Sequence, residues 1–517
     1  MNMRNRRAAL AAALSLICAT LALLIATSSS PLYATNFWTD TNIYFTIGRG
    51  MTNGLMPYRD LFDHKGPLLY ILYALGALMS GSSFLGVFLL QTVSLACTLF
   101  IGWHTVCLYG QGPLTLAAIP ATAAITAACT AYTQGGSAEE FCLPALALAI
   151  FCTLATMHSE SMKPNAQPFG AACSSEPAWA GTTSSGLRRK GLALAFGAAL
   201  GWVFSIKYTD CGLFFGLGLC WVCRESYARS LRSAIISATM MAAGFAAVLL
   251  PQAVYLAANG ALGDCFTVYF IQNIFDYGGE AMTFTGHLYN ALAYLRTQSA
   301  ANPAVAALAI FGCAWAFGTA VLRRRRGFLL EALALPMAAG LLLLFAYWGE
   351  MAHPYYALVF AALVPLGLAP LGALASRVSA KIACALTLVF TLSVAPACLA
   401  LCRAVPLMDV RREDMAQTAF AEIINAEENP TLLDLCSLDQ GFYLAAGITP
   451  GCRYFADNNL NTEEKRAAID GYLKEGAAQF VVAVYREPGE RYELIAQAQS
   501  PFDLNDMRPY KLYRRVE

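Results

Sequence analysis

The chain contains a series of apolar runs of about 20 residues, and these runs constrain its fold more than any other feature. They cover residues 8–27, 84–108, 113–132, 141–157, 191–206, 211–223, 234–257, 303–322, 328–347, 356–375 and 382–402. A helix of about 20 apolar residues crosses the hydrocarbon core of a bilayer. Because a helix satisfies its own backbone hydrogen bonds in lipid, the runs predict an all-α polytopic membrane bundle of about eleven transmembrane helices.

Composition agrees with a membrane protein. Of the 517 residues, 57% are hydrophobic and 13% are charged, whereas a soluble domain has about 25% charged residues. The formal net charge of +1 indicates no nucleic-acid partner. Most of the 17 cysteines lie inside the apolar runs, where a cysteine acts as a small hydrophobic residue rather than as part of a disulfide framework.

The basic residues between the runs predict the orientation of the bundle. They cluster at 188–190, 224–232, 323–326 and 377–381. All four clusters fall in the cytoplasm if the N-terminus is cytoplasmic and the short segment 66–80 lies at the membrane surface. A cleaved signal peptide is the alternative for residues 8–27, but the run is long for one and more spans follow. We therefore expect a multi-pass plasma-membrane protein.

The chain after residue 402 has a different character. We expect residues 1–402 to form the membrane domain and residues 403–517 to form a small soluble α/β domain on the extracytoplasmic side. Segments 431–436, 479–485 and 509–514 are predicted strands, and 462–474 is a predicted helix with Thr462 as its N-cap. Cys436 and Cys452 would pair in an oxidising compartment, or remain two free thiols.

A polar stretch interrupts the apolar pattern within the predicted first outer loop, residues 28–83. Residues 38–70 contain seven ionisable residues: Asp40, Arg49, Arg59, Asp60, Asp63, His64 and Lys65. Such a cluster is costly to hold in lipid and is expected to line a cavity filled with water or ligand. The spacing of Asp40 and Tyr44 places both side chains on one face of a helix.

Three further outer segments bring ionisable groups to the membrane. These are Glu139 with Glu140, Glu350 with His353, and Lys207 with Asp210. Cations can hold an anionic phosphate, and a carboxylate can take a proton from an attacking hydroxyl or amine. A groove between helices can admit a lipid tail. The constellation is typical of group transfer from a lipid-linked phosphate carrier.

The motifs resemble those of a known family. The stretch TDTNIYFTIGRGMTNGLMPYRD followed by LFDHKGPLLY resembles the first outer loop of the GT-C superfamily of integral-membrane glycosyltransferases. It is most similar to the protein O-mannosyltransferase and lipid A aminoarabinose transferase branch. The chain has Lys65-Gly66-Pro67-Leu68 where that branch has a K-P-P-L-like motif. GGSAEEF at 135–141, Lys207 in SIKYTD, and HPYY at 353–356 resemble later family motifs.

The resemblance implies roles for these residues. Asp40 would be the general base, and Lys65 would bind the donor phosphate with Arg59 or Lys207. Glu139 or Glu140 would position the acceptor or a metal. The remaining candidates for substrate binding are Tyr44, His64, Glu350, His353 and Tyr356. The family usually inverts the anomeric centre by direct displacement, which needs no covalent enzyme intermediate.

We therefore expect a glycosyltransferase that moves a sugar from a polyprenyl-phosphate donor to a cell-envelope polymer, lipid or protein. A transporter or flippase of a lipid-linked sugar is the main alternative, and a membrane receptor is a third. Paired carboxylates allow a divalent metal, but no ligand spacing demands one. Structural alternatives also exist for single residues: Asp40 as a helix cap or a partner of Arg49, and Lys65 as an interfacial lysine.

Overall fold

Helices form most of the chain in the computed structural model. The structure describes residues 3–158, 185–277, 283–349, 353–457, 460, 462–503 and 506–516. The helices up to residue 401 are α1 (Met3–Ala26), α2 (Thr39–Thr52), α3 (Pro67–Met79), α4 (Leu85–Cys107), α5 (Ala118–Ala127), α6 (Ala138–His158), α7 (Ser185–Phe204), α8 (Gly212–Ala228), α9 (Leu231–Ala258), α10 (Leu262–Phe266), α11 (Asn273–Phe275), α12 (Phe284–Ala301), α13 (Pro303–Arg323), α14 (Phe328–Ala346), α15 (Val364–Gly367), α16 (Ala369–Leu374) and α17 (Ala380–Leu401).

Eight helical segments in the described part of the chain are long and apolar enough to cross a membrane. This agrees with a multi-pass membrane protein. The expected number of about eleven spans is not established. Of the other three predicted spans, 113–132 and 211–223 form shorter helices, and 191–206 lies in α7, whose first turns carry Arg188, Arg189 and Lys190.

Close helix contacts depend on glycine at the crossing of α7 and α9. A Cβ on Gly197 would lie 1.8 Å from the Met241 carbonyl oxygen, and one on Gly244 would lie 2.0 Å from the Leu194 carbonyl oxygen. Glycines on both helices therefore let the two backbones touch, as small residues do in membrane helix pairs.

The C-terminal region combines a four-stranded sheet with three helices. The strands are β1 (Leu432–Leu435), β2 (Phe480–Ala483), β3 (Tyr492–Asp503) and β4 (Asp506–Arg515), and the helices are α18 (Ala416–Ile424), α19 (Phe442–Ala445) and α20 (Glu463–Glu475). The strand order is β1-β2-β4-β3. Strands β1 and β2 are parallel, whereas β4 is antiparallel to both of its neighbours.

The predicted elements of this region are present. Thr462 caps α20 and accepts a hydrogen bond from the Lys465 amide at 3.2 Å. The sequence did not predict strand β3. Its consecutive apolar residues Leu494 and Ile495 are both exposed, so apolar and polar residues do not alternate clearly along it. Cys436 and Cys452 are free thiols. One continuous buried cluster runs from α1 through the bundle into the sheet, so the two regions share a core.

Candidate active site

Helix α2 presents Asp40 in its first turn, where the helix dipole favours a negative charge. Asn36 prepares this start: its side-chain oxygen accepts a hydrogen bond from the Trp38 amide at 2.8 Å, and its amide donates to Ser29 and to the Gly135 carbonyl. The N-cap position is occupied by Trp38 and not by Asp40. The half-buried Asp40 carboxylate is therefore left for other contacts.

Two tyrosines hold the Asp40 carboxylate. Tyr355 donates to Asp40 Oδ2 at 3.1 Å, and Tyr44 donates to the same oxygen at 3.4 Å. The Tyr355 ring also packs edge-on against Trp38 and stacks on His353, with centroid separations of 4.9 and 5.2 Å. Asp40 thus lies in an aromatic setting, and Arg49 is not its partner, because Arg49 donates to backbone carbonyls of the C-terminal region.

Lys207 joins the aromatic residues to the acidic start of α6. Its ammonium lies 3.4 Å above the centre of the Tyr356 ring and forms an ion pair with Glu139 Oε1. All three side chains are buried. Burial lowers the pKa of Lys207, but Glu139 and Asp210 outweigh this effect and the pKa is raised. Lys207 therefore stays cationic while Glu139 is its counter-ion.

Asp210 is fully buried next to this ion pair. Among the described residues, no N–H or O–H group donates to either of its carboxylate oxygens, and Glu139 Oε2 also lacks a donor. Burial raises the pKa of Asp210 to about 7, against the opposing charge of Lys207. Two carboxylates with unused acceptor capacity thus flank one lysine.

The segment Asp63-His64-Lys65 forms the next part of the site. Asp63 accepts a hydrogen bond from Tyr70 at 2.7 Å, and the Lys65 ammonium lies 3.5 Å from His64 Nε2. Burial raises the pKa of Asp63. Burial, with the charge of Lys65, places the pKa of His64 well below its usual value. His64 is therefore a neutral imidazole, and Lys65 supplies the positive charge.

His353 connects these groups electrostatically. Burial lowers the pKa of His353, and the imidazole also feels Asp40, Lys65, Lys207 and Glu139. Its Nε2 atom has no hydrogen-bond partner among the described residues. Charged groups from the first loop, the start of α6 and the turn after α7 therefore all act on this one imidazole.

Glu140 has different surroundings from Glu139. Its carboxylate accepts hydrogen bonds from Gln91 at 2.8 Å, from Tyr132, and from the amides of Gly136 and Ser137 at 2.5 and 3.0 Å. These contacts fix the turn before α6 to α4. The acceptor positions of Glu140 are occupied by its own protein, so its geometry is that of an anchor for the loop that carries Glu139.

Arg59 does not join the cluster. Arg59 is largely exposed, forms a two-pronged ion pair with Asp60 and donates to the Asn259 carbonyl. Glu350 lies outside the described residues.

The sequence patterns did not indicate Tyr355 as a site residue, and they gave Asp63 and Asp210 little weight. The signal for Tyr355 is its place between His353 and Tyr356 in one motif. In the structure a 3-10 helix begins at Pro354, within that motif.

No group of three His, Cys, Asp or Glu side chains in the described ranges is placed to hold a metal ion. The site has a half-exposed carboxylate, two lysines, a neutral histidine beside one of them, and several aromatic rings. The lysines suit an anion, the rings suit a sugar or an isoprenoid, and the carboxylate suits a proton.

Comparison with known proteins identifies the fold. No protein-family model and no curated protein matches the chain. Two crystal structures of ArnT from Cupriavidus metallidurans, a GT-C lipid A aminoarabinose transferase, are similar to it. The structure bound to undecaprenyl phosphate gives a TM-score of 0.54, and the apo structure gives 0.55. Each comparison covers 96% of both chains at 13% identity. The predicted architecture is confirmed at the level of the fold, which the chain shares with these structures.

Proposed function

We propose, from the shared ArnT fold and the cluster around Asp40, that the chain is a glycosyltransferase. It moves a sugar from a polyprenyl-phosphate donor to a hydroxyl or amine of a cell-envelope acceptor. Undecaprenyl phosphate bound to the ArnT neighbour supports a donor of this class. The observation that carries the proposal is the position of Asp40, a half-buried carboxylate held by Tyr355 and Tyr44. Asp40, Lys65 and Lys207 all act electrostatically on His353.

In this reaction Asp40 is the general base. The acceptor oxygen or nitrogen attacks the anomeric carbon, and the bond from that carbon to the phosphate oxygen breaks. Asp40 takes the acceptor proton, and the electron pair of the broken bond leaves on the polyprenyl phosphate. One displacement inverts the anomeric centre and needs no covalent enzyme intermediate. A positioned base contributes about 10²–10⁴-fold to such a rate.

Lys65 and Lys207 bind the donor phosphate. Both ammonium groups act electrostatically on His353, and this shared neighbour supports a common role. Glu139 neutralises Lys207 in an ion pair. The donor phosphate takes over part of this role and frees Glu139 to accept a hydrogen bond from the acceptor. Arg59 is engaged by Asp60 at the surface, and we assign it no contact with the donor.

We place the site at the extracytoplasmic end of the bundle, with the N-terminus in the cytoplasm. Helix α7 spans 20 residues from Ser185 to Phe204, or about 30 Å. Its basic residues lie at its start, and Lys207 follows its end. Glu139 likewise opens α6, while His158 at the other end interacts with Arg323. The basic clusters and the site thus lie at opposite ends, in accord with the positive-inside rule.

The test is transfer of label from a panel of polyprenyl-phosphate sugars by the purified protein in lipid vesicles. Asp40→Asn keeps the size of the side chain and removes the base. Asp414→Asn is the matched control, because Asp414 is exposed and pairs with Arg411. We expect transfer by the intact protein and by Asp414→Asn, and a loss of 10²-fold or more, about the weight of a general base, in Asp40→Asn.

Two outcomes contradict the proposal. Normal transfer by Asp40→Asn would remove Asp40 from the chemistry and move the search for the base to Glu139. Movement of intact donor lipid between leaflets without transfer of its sugar would instead identify a flippase. That assay uses the same vesicles, with the labelled donor on one side only.

A further inference from the structure

Helix α2 has two faces with different tasks. Asp40 and Tyr44 point into the site, as described above. Asn42, Thr46, Arg49 and Asn53 follow the spacing i, i+4, i+7 and i+11, which forms one stripe along a helix. At 100° per residue this stripe lies about 180° around the helix from Asp40 and Tyr44. The helix that carries the base is therefore contacted on its opposite face by other parts of the chain.

The C-terminal region contacts this second face along its length. Thr46 donates its hydroxyl to Asp439 Oδ2 at 2.6 Å, and Asn53 donates to Thr449 Oγ1 at 2.8 Å. Arg49 Nη2 donates to the Tyr443 carbonyl at 2.8 Å and to the Ile448 carbonyl. All the acceptors lie within residues 439–449, nearly 400 positions later in the chain.

Asp439 is held firmly for this contact. It is fully buried, and its other oxygen accepts a hydrogen bond from the Gly441 amide at 2.8 Å. The two residues before it, Ser437 and Leu438, have φ values of +71° and +60°. Non-glycine residues rarely adopt this left-handed conformation, and each costs of order 1 kcal/mol or more. The backbone therefore accepts local strain where it presents Asp439 to α2.

Packing must fix the orientation of α2, because a helix of 14 residues is marginally stable by itself. On the α3 side, Gly48 touches the Tyr73 backbone. On the other side, the hydrogen bond between the Thr46 and Asp439 side chains holds the middle of the helix. A rotation of α2 about its axis would move Asp40 and Thr46 together, so a contact at Thr46 sets the direction of Asp40.

We infer that Asp439 is a positioning residue for the proposed transfer reaction. Through Thr46 it fixes the rotation of α2 and so aims the Asp40 carboxylate at the acceptor. This inference rests on the proposed function for its catalytic consequence. Because Asp439 touches α2 and not the reacting groups, its loss reduces the turnover of bound donor and leaves donor binding by Lys65 and Lys207 intact. A displacement of about 1 Å can cost 10²-fold in rate.

The experiment replaces Thr46 rather than Asp439, so that the buried carboxylate itself is not changed. Thr46→Val has nearly the same shape and lacks the hydroxyl, whereas Thr46→Ser retains it. Glu427→Gln is the control within the C-terminal region, where Glu427 pairs with Arg514 at the surface. We measure kcat and the donor KM in vesicles, and amide hydrogen exchange across α2 and α20. Asp439→Asn serves as the second variant, tested for its folded fraction by the same exchange.

We expect kcat of Thr46→Val to fall about tenfold with an unchanged donor KM, and the α2 amides to exchange at least about tenfold faster while those of α20 do not. Thr46→Ser and Glu427→Gln should match the intact protein. Unchanged α2 exchange in Thr46→Val overturns the inference whether or not sugar is transferred. Faster α2 exchange with an unchanged kcat also overturns it. Absence of transfer by the intact protein counts against the proposed function alone.

Discussion

Tyr355 and Asp40 are 315 positions apart in the chain, and the Tyr355 hydroxyl lies 3.1 Å from Asp40 Oδ2. The contact joins the first turn of the Pro354–Leu363 3-10 helix to the first turn of α2. A neutral donor to a carboxylate stabilises its charged form and fixes its direction. The residue proposed as the base is thus oriented by the segment that also carries His353 and Tyr356.

Replacing Tyr355 with Phe should lower the transfer rate, because Asp40 loses its shorter hydrogen bond while the aromatic packing on Trp38 and His353 remains. A hydrogen bond to a charged group contributes about 1.5–3 kcal/mol, or roughly 10–100-fold in rate. Tyr44→Phe should have a smaller effect, since its contact is 3.4 Å. The measurement is kcat/KM for transfer. An equal or greater loss in Tyr44→Phe would contradict this order.

The buried pair of Lys207 and Glu139 should show strong coupling in stability. Lys207→Met leaves the Glu139 carboxylate buried without its counter-ion, a change that costs about 3–5 kcal/mol. Glu139→Gln leaves the lysine unpaired and costs a similar amount. The double variant removes both charges and should be more stable than either single variant. Thermal unfolding of the four proteins in one detergent measures this cycle, and additive single effects would show that the pair is not coupled.

Glu139 and Glu140 should separate in function although they are adjacent. Glu140→Gln places an amide N–H group against backbone amides that now donate to the carboxylate, so Tm should fall while the folded protein keeps its donor KM. Glu139→Gln should change the KM of donor or acceptor. Kinetics normalised to folded protein distinguish the two. A change in substrate KM confined to Glu140→Gln would reverse the assignment.

The stability of the C-terminal region should depend on pH through Asp434. Burial, and then the charge of Asp439, raise the pKa of this carboxyl group to about 7. The unfolded chain loses the same proton near a pKa of about 3.9. The folded state therefore binds more protons between about pH 4 and pH 7, and its free energy of unfolding falls as the pH rises through that window.

Asp434→Asn should reduce the slope of unfolding temperature against pH, because the amide cannot ionise. Its overall stability should also be lower, since its N–H group meets the amides of Cys436 and Gln440. Asp470→Asn is the control, because Asp470 lies at the surface with Arg486 and should keep the slope of the intact protein. A slope in Asp434→Asn equal to that of the intact protein would rule out this carboxyl as the source.

Local patterns predicted much of the fold. The apolar runs located the long helices, the spacing of Asp40 and Tyr44 predicted the first turn of α2, and Thr462 marked the start of α20. The glycines at 48 and 50 were expected to break α2, but the helix continues through them to Thr52. These features depend on neighbouring residues in the chain, so they can be read directly. The number of spans could not, because α7 carries three basic residues in its first turns and α8 ends on buried charges that only helix packing satisfies, such as Arg224 against Glu331.

The site was harder to predict where its contacts are distant in sequence. A single acidic pair, Glu139-Glu140, divides into a partner of Lys207 and an anchor of the loop, because helix rotation turns adjacent side chains in different directions. Arg59 belongs to the first-loop motif, yet it is exposed and forms an ion pair with Asp60. The Thr46–Asp439 contact joins residues 393 positions apart, and no pattern within one sequence indicates such a pairing.

The late origin of the residues that contact α2 has a consequence for synthesis. Helix α2 leaves the ribosome early, but residues 439–449, which contact it, are synthesised after all the helices of the bundle. A chain that lacks residues 439–449 thus carries Asp40 on a helix without the contacts to its second face. We expect α2 to take the orientation that the proposed reaction needs only after these residues have been added. Fragments that lack residues 439–449 would carry the proposed donor site without an aligned base. We expect such fragments not to transfer the carrier-linked sugar.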